Sequence, residues 1–86
     1  MLLKHSSKQA ATIVRNRSIY ALDELNRIVE EVSSDVAPDD VAALRGAIGR
    51  ASSSILESIV EPLIRAHPDL ELQEDEWTEL ALKHRR

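Results

Sequence analysis

Cysteine is absent, so the chain can form no disulfide and no thiolate metal site. Phenylalanine is absent too, and the aromatic residues are Trp77 and Tyr20 alone. So few aromatic residues argue against a β-sandwich or barrel, against base-stacking recognition of nucleic acid and against a deep aromatic ligand pocket. Only two glycines and three prolines interrupt the chain, which favours long regular segments over a loop-rich fold. No run approaches the roughly 18 apolar residues of a membrane span. The start, Met1-Leu2-Leu3-Lys4-His5, has no signal-peptide core. The expected setting is therefore the cytoplasm, with no membrane partner.

Motifs that carry chemistry are missing as well. His5, His67 and His84 form no HxxH or HExxH pair, and no acid gives them a zinc-type spacing. Ser52, Ser53 and Ser54 lie in no GxSxG sequence. Neither GxGxxG nor GxxxxGK[ST] occurs, so nothing points to a phosphate cradle. The acids Glu30-Glu31 and Glu74-Asp75-Glu76 are consecutive; on a helix they splay apart instead of converging as an acid–base pair. The expectation is a non-enzymatic protein with no catalytic residue, no cofactor and no metal.

What is present is a helical pattern. The 86 residues are 43% apolar and 30% charged, a folded balance, and suffice for one domain spanning the whole chain. A chain this short buries only about 60–65% of its unfolded surface, so its own core is small. With 100° per residue, Ala10, Ala11, Val14, Ala21, Leu22, Leu25, Ile28, Val29 and Val32 share one arc of about 120°, interrupted by Ser18. This predicts a first helix over about 7–34. Pro38 suits a first helical position, and Asp39 and Asp40 suit the first turn, where the helix dipole favours acids. A second helix is predicted over 38–66, kinked near Pro62, which removes one helix hydrogen bond. Its middle is small: Gly46, Ala47, Gly49 and Ala51 would let another helix approach closely. A third helix is predicted over 73–83, with Glu74, Asp75 and Glu76 at its start and Lys83 to Arg86 at its end.

The expected fold is all-α: a long antiparallel helical hairpin plus a short C-terminal helix. Heptad steps of three and four give the hairpin a seam of Val14, Ala21, Leu25, Ile28 and Val32 on one helix. On the other the seam is Leu44, Ile48, Ile55 and Ile59. A turn near Val36 sets Leu25 opposite Ile48, Ala21 opposite Ala51 and Val14 opposite Ile59. It also brings Lys8, Arg15 and Arg17 toward Glu57 and Glu61. The seams are too long and too broad for two helices alone, which predicts a homodimer resembling a four-helix bundle. The alternative is a monomeric three-helix bundle in which the Trp77 helix folds back over the hairpin.

Two surface features remain. Ile13 and Tyr20 sit on an otherwise charged face, so with Trp77 they are candidate contacts for the third helix or for another protein. Lys4, Lys8 and Arg15 form a short basic stripe, the candidate nucleic-acid contact. Against it stand the net charge of −4 and an acidic run of Asp23, Glu24, Glu30, Glu31, Asp35, Asp39 and Asp40. The function expected is a non-catalytic protein-interaction or regulatory module that self-associates through its seams. The alternative is a nucleic-acid-associated regulator that uses the N-terminal stripe.

Overall fold

The computed structural model describes Leu3 and residues 5–85. Among these, all regular structure is helical and no strand occurs: α1 (Lys8–Val32), α2 (Pro38–Ile55), α3 (Glu61–Ala66) and α4 (Glu74–His84). The molecule is elongated, 46 × 27 × 18 Å. Its length is close to that of α1, about 37 Å at 1.5 Å per residue.

Each helix end has a local cause. Ser7 caps α1: its hydroxyl accepts from the Ala10 N–H at 3.1 Å and satisfies a donor that the first turn leaves free. Past Val32 the chain turns through residues 33–37, with the Asp35 N–H bonded to the Val32 carbonyl. Pro38 then opens α2, followed by Asp39 and Asp40. Gln73 and Glu76 form a reciprocal capping box at the start of α4, and Lys83 and His84 occupy its last turn.

The expected kink at Pro62 takes a particular form. Between α2 and α3, Leu56–Val60 widen into a π turn in which the Glu61 N–H bonds the Leu56 carbonyl five residues back. Pro62 has no N–H for a fourth-residue acceptor, and its ring crowds the carbonyl one turn earlier. Widening that turn relieves the crowding without ending the helix, so the path runs on to Ala66. His67 leaves helical geometry, and a single 3-10 turn, Pro68–Leu70, leads to α4.

The core is small, as the length implies. Ala11, Ile19, Leu22, Ile48, Val60, Leu63 and Leu70 are buried, with Ser18 as a buried polar residue. Ser18 donates to the Val14 carbonyl at 2.7 Å, so its hydroxyl needs no partner from another helix. At one end Ala11, Leu63 and Leu70 pack together, flanked by Leu3, Val14 and Ile64. Toward the other end a groove of about 610 Å³ is lined by Leu22, Asn26 and Val29 from α1 and by Arg45, Ile48 and Ser52 from α2, with Trp77 beside them.

Ala11 packs with Leu63, and Leu22, Asn26 and Val29 share one groove with Ser52, Ile48 and Arg45. The start of α1 thus lies beside α3 and its end beside the start of α2. The face of α1 that the chain buries is not the expected one. The buried residues of α1 lie roughly a quarter-turn from the seam built on Val14, Ala21, Leu25, Ile28 and Val32. The reason is that one flank of α1 meets both α2 and α4, and residues on that flank lose solvent from two sides.

Candidate interaction face

The two long helices form a layer that is apolar on both sides. One side receives α4. Trp77, Ala81 and Leu82 line a depression with Ile19, Asp23 and Asn26 of α1. No residue of α4 is buried, so polar contacts hold its end. Arg85 forks onto Asp23 through Nε and an Nη, with the Nε contact at 2.9 Å. The His84 ring stacks on Tyr20 with centroids 4.1 Å apart and planes 7° from parallel. His84 also stands 3.9 Å from Glu24. Hydrogen bonds from Arg85 hold the Asp23 carboxyl below the usual carboxylate range, while the same pairing raises Arg85. At the lead-in to α4, Arg15 donates to the Leu70 carbonyl at 3.0 Å.

Among the described residues nothing covers the other side of the layer. Of the seam residues, Ile48 is buried and Val14, Leu25, Val32, Leu44, Ile55 and Ile59 are half-buried. Ala21 is exposed, and Ile28 is exposed to 40%. On the helix wheel Ala21, Leu25, Ile28 and Val32 occupy about 280–340° of α1, away from α4. Leu44, Ala47, Ala51 and Ile55 occupy about 20–100° of α2 and continue the patch. The small middle of α2 does not serve close packing within the chain. A side chain at Gly49 would meet nothing within 4 Å, and at Gly46 it would meet only the end of Arg50.

The remaining sequence candidates separate. Tyr20 receives α4 through His84, and Trp77 is half-buried beside α1, whereas Ile13 stays 54% exposed. Lys4 lies outside the described residues. Lys8 pairs with Asp69 at 2.8 Å, and its hydrogen bond lowers the Asp69 carboxyl below its ordinary value. Arg15 is engaged with Leu70 and with the Asn16 side chain. The described part of the basic stripe is thus tied to the chain's own groups. The expected pairing of Lys8, Arg15 and Arg17 with Glu57 and Glu61 does not form. Asp69 and the Leu70 carbonyl stand nearer the start of α1, and Glu61 pairs along its own helix with Arg65 at 3.7 Å. Among the described residues no cluster of three His, Asp or Glu side chains could hold a metal ion. Among them, no helix is long and apolar enough to cross a membrane.

Asp23, His84 and Arg85 position α4, and sequence reasoning did not single them out. The available signal was Tyr20, an aromatic ring stranded on a charged face, together with a basic tail able to reach the acids beside it. Compared with known proteins, the chain matches no family model, no curated protein and no solved structure.

Proposed function

We propose that the chain is a small non-catalytic interaction module of the cytoplasm. In this reading α1 and the α2–α3 path form an antiparallel hairpin, and two copies pair through its uncovered face as a four-helix bundle. The observation that carries it is Ile28, a large apolar side chain left 40% exposed in the middle of a heptad stripe. Around it Ala21 is exposed, and Leu25, Val32, Leu44 and Ile55 are half-buried. Apolar residues scattered singly on a surface need no explanation, but a contiguous stripe on two adjacent helices does. From Val14 to Val32 the stripe runs about 27 Å.

The docking of α4 on α1 is the contact that the monomeric three-helix bundle calls for, but it covers the opposite side. Among the described residues no further helix remains to cover the stripe. The test is molar mass by light scattering after size exclusion at two protein concentrations. A mass of about 19 kDa, twice 9.6 kDa, is expected at the higher one. A mass of 9.6 kDa at every concentration overturns the pairing.

A further inference from the structure

We infer, resting on the pairing proposed above, that the second copy stacks with its 33–37 turn at the same end. Its α2 then lies over α1 and its Glu57 lies against Arg17. The argument is one of charge along the edges of the uncovered face.

Two symmetric stackings bring the uncovered faces together. In one the two-fold axis runs along the helices, and α1 lies over the partner's α2. In the other the axis crosses the helices, the turns lie at opposite ends, and each helix lies over its own copy. The first stacking reuses the register that α1 and α2 already share, because the partner's α2 stands at the same height as the chain's own. With the packing of Ala11 against Leu63 as the marker, facing residues then have numbers adding to about 74.

The edge of α1 beside the uncovered face carries Arg17 and Glu24, at about 260° and 240° on the wheel. The matching edge of α2 carries Arg50 and Glu57, at about 320° and 300°. All four residues are exposed. In the first stacking Arg17 falls against the partner's Glu57, and Glu24 against the partner's Arg50. Two-fold symmetry repeats both, giving four attractive pairs; at the turn Asp35 falls against the partner's Asp39, a like-charge pair also repeated by symmetry. Between these edges Ala21, Leu25, Ile28 and Val32 meet the partner's Leu44, Ala47, Ala51 and Ile55.

The second stacking does worse. Centred on the same patch, it sets Arg50 against the partner's Gly46 and Glu57 beside the partner's Asp39, a like-charge pair repeated by symmetry. It gains only Arg17 near the partner's Asp35. Arg17, Arg50 and Glu57 make no ion pair among the described residues. Glu24 already bonds Arg27 at 3.3 Å, so the Arg17–Glu57 pair is the cleaner probe.

The experiment uses Arg17→Glu and Glu57→Arg in the full chain, with circular dichroism to verify helicity and sedimentation to measure pairing. Each variant alone places two like-charge contacts in its homodimer and should weaken pairing by about tenfold. An equimolar mixture restores opposite charges at both contacts, so the heterodimer should regain the wild-type affinity. A mixture as weak as the single variants overturns the orientation while leaving the pairing intact. A wild-type chain that stays monomeric overturns both. A second readout needs no charge change. Because the chain has no cysteine, Ser34→Cys carries one spin label per copy. Label separation under about 25 Å fits turns at one end, and separation beyond about 35 Å, close to the length of α1, refutes it.

Discussion

Replacing Ile28 by aspartate separates an intermolecular seam from an intramolecular one. In the single chain Ile28 is 40% exposed and belongs to no buried cluster. Aspartate there loses part of one side chain's burial and little helix propensity, so the chain's own stability should fall by about 1 kcal/mol or less. The paired state is affected far more. Burying a whole isoleucine side chain contributes about 1.5–3 kcal/mol. The 40% still exposed in one chain therefore accounts for roughly 0.6–1.2 kcal/mol per copy, or about twice that for the symmetric pair. Aspartate forfeits this and also brings two carboxylates into an apolar contact, at a cost of further kilocalories. Pairing should weaken by at least about a hundredfold, while thermal unfolding at low protein concentration shifts by only a few degrees. Sedimentation equilibrium gives the first quantity and circular dichroism the second. If Ile28→Asp pairs as tightly as the wild type, the seam is not an interface. If it unfolds the chain at concentrations where the wild type is monomeric, Ile28 belongs to a core within the chain. Either result refutes the reasoning.

Further outcomes follow from the same packing. Leu63 is fully buried against Ala11 and Leu70, so Leu63→Ala should cost about 2–5 kcal/mol, a large share of the roughly 4–13 kcal/mol expected for this length, measured by urea unfolding. Gly49 has open space where a side chain would begin, so Gly49→Ala should stabilise the chain by about 1 kcal/mol in the same assay. The Arg85 fork lowers the Asp23 pKa in the folded chain, so its contribution is complete above the ordinary carboxylate value of 3.8 and fades as pH falls through the lower folded value. Acid titration followed by the Tyr20 ring resonances should show α4 loosening only in that acid range. Arg85→Gln removes the pair that sets this dependence, so α4 should be looser at neutral pH and the acid step smaller; an unchanged acid transition would dissociate it from this contact. Trp77, half-buried on α4 beside α1, should emit at shorter wavelength than free indole until α4 is released.

The helices were legible because their signals are local. Ser7, Pro38 and the Gln73–Glu76 pair mark starts through hydrogen bonds within four residues, and these starts match the expectation to within a residue. The face was not. Ala10 through Val32 form one broad apolar arc on the wheel, and a heptad reading places its centre on Leu25. The arc serves two purposes. Its flank at about 0–40°, with Ala11 and Leu22, is the part the chain buries, together with Ile19 beyond the arc at about 100°, whereas its flank at about 280–340° is what the chain leaves bare. Periodicity along one helix reports which residues avoid water but not which neighbour removes it. That assignment depends on where α4 docks, and α4 docks through Tyr20, Asp23 and Glu24 on the polar side of the wheel, where hydrophobic patterning carries no signal. An arc wider than one partner can cover is therefore itself the observation to follow. The part of it that the described chain leaves bare is the stripe around Ile28.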